Sequence, residues 1–190
     1  FDFGPYDLDI VFIYPGDATF ELDNLGTIST DGVDIDLMYS GDLDLGWAQG
    51  YDLSWTATYM MNYESGSVAG GTADLTGTAN GFAVFPEWRW NLGIGVYGED
   101  WTVSYNGRFI GETTDRFRPC YITDDCKAES IYYSDLVGTY TWENIQFNVG
   151  IRNLTDEEPA FFHSAFNAET EPGMYDVVGR AWYTGFKVTF

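Results

Sequence analysis

The chain contains the stretch GRAWYTGFKVTF at residues 179–190, and its side chains alternate in character. One set of every second residue is apolar or aromatic apart from one threonine: Trp182, Thr184, Phe186, Val188 and Phe190. The residues between them are mostly small or polar. Successive side chains of a β-strand point to opposite faces, so this alternation predicts a strand with one oily face and one polar face.

The same period of two recurs along the chain, and we predict eight strands in all. They span about 6–14, 33–43, 51–62, 88–98, 101–112, 131–142, 144–153 and 179–190. The links between them alternate strictly between long and short. One end of the sheet therefore carries every long loop and the other every tight turn, an asymmetry typical of outer-membrane barrels.

Strand length and residue placement also favour a membrane barrel. Most predicted strands run about 10 to 13 residues, longer than the ~5–6 usual in soluble sheets and close to the ~9–11 that cross a bilayer. The charged side chains fall on the polar set: Arg89, Arg108, Arg152 and Lys187. The predicted fold class is an all-β transmembrane antiparallel β-barrel. A soluble secreted β-sandwich that binds sugars also alternates, and it remains an alternative.

Composition excludes several classes of partner. The chain has 190 residues, with 30 acidic against 8 basic side chains and a net charge of −22. Such a chain repels nucleic acid and anionic lipid headgroups. Aromatic residues make up 18% of it, which is incompatible with disorder. Its first residues, FDFGPYDLDI, have neither a basic region nor a cleavage site, so we expect a mature or incomplete chain.

Two cysteines, Cys120 and Cys126, flank a short polar loop in RPCYITDDCK. Their spacing predicts a disulfide in an oxidising compartment. A metal pair is the alternative, but His163 is the single histidine in the chain. We predict no metal and no cofactor.

Three segments carry a family resemblance. IRNLTDEEP (151–159), YDVVGRAWYTGFKVTF (175–190) and NLGTISTDGVDIDLMY (24–39) resemble segments of TonB-dependent outer-membrane receptors. The first two resemble that family's "N-L-x-D-x-x-P" strand ending and its "Y-D-x-x-G-R" terminal block. In this family and in outer-membrane barrels generally, the terminal aromatic pattern is said to be read by the barrel-assembly machinery.

The resemblance implies a location and a function. Such receptors have a 22-stranded barrel in the bacterial outer membrane and an N-terminal plug that contacts the TonB complex. Residues 1–190 would be the C-terminal third of the barrel, with the plug absent from this chain. The implied activity is energised uptake of a bulky nutrient: a siderophore or other metal chelate, cobalamin, an oligosaccharide or a peptide. Partners would be membrane lipid, the rest of the receptor, TonB and the nutrient.

A complete eight-stranded barrel with a structural or adhesion role is the other alternative. It predicts closure between the strands at 6–14 and 179–190, whereas a receptor fragment predicts that these strands are not neighbours. Catalysis is not expected, because the chain shows no nucleophile elbow, phosphate loop or zinc spacing.

Three sets of residues are candidate sites. The lipid-facing closing strand would present Trp182, Phe186, Val188 and Phe190. A cargo-contact loop, which could instead pack upon itself, comprises Phe161, Phe162, His163 and Phe166. An inward acidic set would line a solvated lumen, pair with a plug or bind a cation: Asp7, Asp9, Asp34, Asp36, Asp42, Asp52 and Asp135.

Overall fold

The computed structural model describes residues 26–67, 71–80, 83–116, 126–165 and 169–190. The strand predicted at 6–14 lies outside the described residues. Within these ranges no helix is long and apolar enough to cross a membrane.

Twelve strands make up the regular structure of the described residues. They are β1 (Gly26–Asp42), β2 (Gly50–Ser67), β3 (Gly71–Asp74), β4 (Thr78–Asn80), β5 (Ala83–Phe85), β6 (Trp88–Tyr97), β7 (Trp101–Ile110), β8 (Thr113–Asp115), β9 (Lys127–Ala128), β10 (Ile131–Trp142), β11 (Ile145–Arg152) and β12 (Ala181–Val188).

The long strands form an eight-stranded sheet in the order β1-β2-β6-β7-β10-β11-β12, with the short β3 added to β2. Every pair of neighbours in this sheet is antiparallel. Each predicted strand from 33–43 onward overlaps one of these long strands. The all-β antiparallel fold class is therefore confirmed.

The pairing register aligns one row of large apolar side chains across the whole sheet. One row reads Tyr39, Leu53, Ile94, Tyr105, Leu136, Ile151 and Trp182, each residue paired to the next. The row beside it, on the opposite face, includes Ser54, Gly93, Asn106 and Asp135. We name these two surfaces the apolar face and the polar face.

The long links at 63–87 and 113–130, predicted as loops, contain further strands. β2 continues to Ser67 and pairs with β3, and a second sheet follows the order β5-β4-β8-β9. These strands have two to four residues, too few for a period of two to register in the sequence. The turn after β3 is closed by Asp74, whose carboxylate accepts the Thr76 N–H at 2.9 Å; this bond lowers the pKa of Asp74.

The buried core lies at the end of the sheet that carries the long links. It joins residues of the polar face to residues of the links: Ala79, Val84, Ile110, Ala128, Ile131, Tyr133, Ala160, Phe162 and Tyr175. Because Ile110, Ile131 and Tyr133 occupy the last positions of their strands' polar face at that end, the core packs on the polar side of the sheet.

Candidate functional site

The link between β11 and β12 folds back onto the polar face, and two aromatic side chains anchor it. The rings of Phe162 and Tyr175 lie 5.6 Å apart, and each side chain is 2% exposed. The Phe162 N–H donates to the Glu169 carbonyl at 2.8 Å, which closes the link upon itself. Burial raises the pKa of Tyr175 to about 12, so this anchor is an uncharged phenol at physiological pH.

Tyr133 of β10 joins the link to the wall of the sheet. Its hydroxyl oxygen accepts the Asp176 N–H at 3.2 Å, and the Arg108 guanidinium lies 4.8 Å from the centre of its ring. A cation over an aromatic face is attracted by the ring quadrupole. Tyr133 therefore holds the link from one side and positions Arg108 from the other.

A cavity of about 620 Å³ lies between residues 172–178 of the link and the polar face. Its lining mixes cationic, anionic and amide groups: Arg108, Arg152, Asp135, Asp176, Asn91 and Asn106. A second cavity of about 460 Å³ adjoins it, and its lining includes Arg89, Asp34 and Asp36. Arg108 lines both cavities, so the two form one polar surface with charges of both signs.

Asn153 starts this link and is fully buried, at 0% exposure. Its side-chain amide donates to the Glu157 carbonyl and accepts the Glu157 N–H, each at 2.8 Å. Its own N–H donates to the Asp135 carboxylate at 2.8 Å. Asn153 adopts a φ of 51°, a left-handed conformation that asparagine tolerates better than most residues. This residue ends β11 and turns the chain over the polar face.

Asp156 connects the beginning of the link to its end. Its carboxylate accepts the Arg180 N–H at 2.8 Å and lies 3.5 Å from the Arg180 guanidinium. Gly179, which precedes Arg180, has a φ of 72°, and a Cβ there would lie 3.3 Å from the Asp156 carboxylate. The segments IRNLTDEEP and YDVVGR thus meet physically, which brings β12 back beside β11.

The predicted closing-strand residues lie on the apolar face. Trp182 is 69% exposed, Phe186 is 75% exposed, and Phe190 is also exposed. Val188 is half-buried. These side chains are therefore available to a surrounding medium, whereas their contact with lipid stays a prediction.

The predicted cargo-contact residues separate into two groups. Phe161 is 53% exposed, and its ring meets His163 edge-on at 4.9 Å. Phe162 belongs to the core, so its ring is occupied by packing. Phe166 lies outside the described residues. Cys120 does too, and the disulfide with Cys126 stays a prediction.

Two of the described acidic residues of the polar face form hydrogen bonds with other protein groups. Asp34 accepts the Thr58 hydroxyl at 2.7 Å, and Asp135 binds the Asn153 N–H. Across the described ranges, no three His, Cys, Asp or Glu side chains are grouped to hold a metal ion. Asp7 and Asp9 lie outside the described residues. Sequence reasoning missed Tyr133 as the partner of Arg108, and it missed that Asp176 lines the same cavity. The placement of arginine on the polar set was the available signal.

Comparison with solved structures supports the assignment of the fold. No protein-family model and no curated protein sequence matches the chain. Among solved structures, the copper transporter OprC is similar to it, with a TM-score of 0.52 and 16% sequence identity. The similarity covers 88% of this chain and 24% of that one, so the chain spans about a quarter of the length of this structural neighbour. At this identity the likeness concerns the fold.

Proposed function

We propose that this chain is the C-terminal part of a TonB-dependent receptor, which takes up a bulky nutrient across the bacterial outer membrane. The observation that carries the proposal is the register of the sheet. It aligns an unbroken apolar row from Tyr39 to Trp182 against a polar face over which a long link folds. A wall of this kind suits a boundary between hydrocarbon and a wet interior.

The apolar face suits contact with acyl chains. Exposed large side chains are spread over it, among them Leu37, Val103, Phe147 and Phe186. Exposed apolar surface on this scale marks an interaction site, here a bilayer. Hydrocarbon offers no hydrogen-bond partner to a sheet edge, so the sheet must close into a barrel.

The sheet edges support a larger barrel. Among the described residues, β1 pairs on one side with β2 and β12 pairs on one side with β11. The structural neighbour extends well beyond the matched region, which covers 24% of its chain. We propose that further barrel strands complete both edges, and that a plug and the TonB contact belong to the remainder of the receptor.

The cargo would pass the mixed polar surface around Arg108. The links above it lie on the side we propose to be extracellular, where a Cys120–Cys126 disulfide would be stable. The neighbour is a copper transporter. For this chain we propose cargo from a broader class, which comprises metal chelates, cobalamin, oligosaccharides and peptides. The polar surface suits such cargo because it offers charges of both signs and amide groups.

Growth under nutrient limitation tests the uptake function. A strain lacking the gene competes with its parent in media where iron chelate, copper, cobalamin or a single oligosaccharide is scarce. We expect the strain to grow more slowly than its parent in one of these media. Restoring the gene should restore growth there, but not in cells that lack TonB. Equal growth in every medium, or a cure that is independent of TonB, would contradict TonB-dependent uptake.

Fractionation tests the architecture separately. We expect the protein to remain with outer membranes after salt washing and to have a denatured mass well above the 21.4 kDa of this chain. A mass near that value would favour the small eight-stranded barrel. Release by buffer alone would favour the soluble β-sandwich.

A further inference from the structure

The apolar face carries a groove that the uptake function does not use. It encloses about 940 Å³ where β2, β6 and β7 meet the short strands β4 and β8. We name it the interface groove and define it by Trp55, Trp88, Trp90, Phe109, Glu87 and Glu112. Five further lining residues carry hydroxyl groups.

The floor of the interface groove is aromatic. Trp90 and Phe109 stack at 5.2 Å with their planes 13° apart, and Trp88 stacks on Tyr59 at 4.6 Å. Trp88 nevertheless leaves 41% of its surface exposed. These rings occupy the apolar face at the link end of the strands, so in the proposed orientation they lie at the outer edge of the bilayer.

The rim of the groove is acidic. Glu87 and Glu112 are both exposed, and among the described residues no cationic side chain lies within ion-pair distance of either. Gly77, with a φ of 67°, lies beneath Glu87, where an added Cβ would come within 3.3 Å of the carboxylate. The glycine therefore leaves room for the Glu87 carboxylate at the groove.

Backbone hydrogen bonds hold both walls in place. The Gly111 N–H donates to the Trp88 carbonyl at 2.7 Å, and the Thr114 N–H donates to the Gly77 carbonyl at 2.9 Å. The Met60 N–H donates to the Glu87 carbonyl at 2.8 Å. A site whose walls are already ordered loses less conformational entropy when it binds a ligand.

We propose that the interface groove binds one glycolipid of the outer leaflet, with an acyl chain on the aromatic floor and an uncharged sugar headgroup between Glu87 and Glu112. Carboxylates accept hydrogen bonds from sugar hydroxyls, and indole rings pack on the apolar faces of sugars. The same carboxylates, in a chain of net charge −22, repel a phosphate headgroup. This inference rests on the membrane orientation of the proposed function, and it is independent of what is transported.

Native mass spectrometry of the full-length protein in octyl tetraethylene glycol ether tests the inference. The probes are monogalactosyl diacylglycerol and phosphatidylglycerol with identical acyl chains. We expect the galactolipid to be retained at least tenfold better than phosphatidylglycerol. Equal retention, or a preference for phosphatidylglycerol, would overturn the proposal.

Variants assign the preference to the groove. A double variant that carries Glu87→Lys and Glu112→Lys should retain phosphatidylglycerol better relative to the galactolipid. The matched variant Glu99→Lys, in the turn at the opposite end of the sheet, should leave the relative retention of the two lipids unchanged. Trp88→Leu should weaken both lipids alike, because it alters the floor. A headgroup preference that survives the double substitution would place the lipid elsewhere. Failure of the membrane architecture would appear separately, as release of the protein by buffer alone.

Discussion

Replacing Asn153 should release the link between β11 and β12 while the sheet stays intact. Asn153→Ala removes two hydrogen bonds to Glu157, each 2.8 Å long, and each contributes about 1 kcal/mol. It also places alanine at a φ of 51°, and the left-handed region costs a residue with a Cβ roughly 1 kcal/mol. The sum is about 3 kcal/mol, so the opening equilibrium of the link should rise about 100-fold.

Two further substitutions separate these contributions. Asn153→Gly adopts the left-handed backbone conformation without strain but loses both side-chain hydrogen bonds. The free energy of opening the link should therefore fall by about 2 kcal/mol. Asn153→Asp keeps the acceptor and loses the amide donor, and its new charge lies near Asp135. We expect its effect on the opening of the link to fall between those of the parent and alanine, and to diminish as the pH falls and the introduced carboxylate is protonated.

Hydrogen–deuterium exchange of peptides within 153–165 measures the opening. Protection of these peptides should be highest in the parent protein, lower in Asn153→Asp and Asn153→Gly, and lowest in Asn153→Ala. Peptides of β10 and β11 should remain protected in all four proteins. Asn148→Ala, on the exposed polar face of β11, is the matched control and should change nothing in the link. Exchange in Asn153→Ala within threefold of the parent, or equal loss of protection in β11, would refute the reasoning.

Three other predictions follow from packing, membrane contact and ionisation. Gly150→Ala places a Cβ into the ring of Tyr183, and urea unfolding should show a loss of about 1–3 kcal/mol; unchanged stability would mean that the ring moves freely. Leu92→Arg should cost roughly 2–4 kcal/mol in a bilayer, whereas Asn91→Arg on the polar face should assemble normally; equal membrane yields of the two variants would contradict the assigned orientation. Because burial raises the pKa of Tyr175 from 10.0 to about 12, the neutral phenol stabilises the docked link below pH 10, and that stability is lost as the pH rises from about 10 through 12. In exchange measurements Tyr175→Phe should remove this pH dependence, and persistence of the dependence in the variant would assign it to another group.

The long strands could be predicted from the sequence because their alternation is sustained. β12 and β7 each present a repeating pattern over eight or more residues, and a shift of one residue would exchange their two faces. The short strands escaped prediction for the same physical reason. β4 has three residues, and its place is determined partly by pairing with β8, which is distant in the chain.

The polar cavity could be predicted only in part. The placement of Arg108 and Arg152 on the inward set followed from the period of two. The position of Asp176 in the same cavity did not follow from that pattern, because it depends on how the link turns at Asn153 and docks through Tyr175. Phe162 shows the same limit, since a loop phenylalanine can face cargo or its own core, and the long-range contact with Tyr175 decides for the core.

The two outer edges of the eight-stranded sheet have a practical consequence for producing this protein. In the described structure β1 and β12 each carry a row of backbone groups on the side away from their neighbour. Such an edge templates the pairing of any extended chain that reaches it. Synthesised alone, this segment would join other copies edge to edge. Co-expressed with the further barrel strands that we propose, it should instead pair with them as one of two pieces, so split-chain reconstitution offers a practical route to material for study.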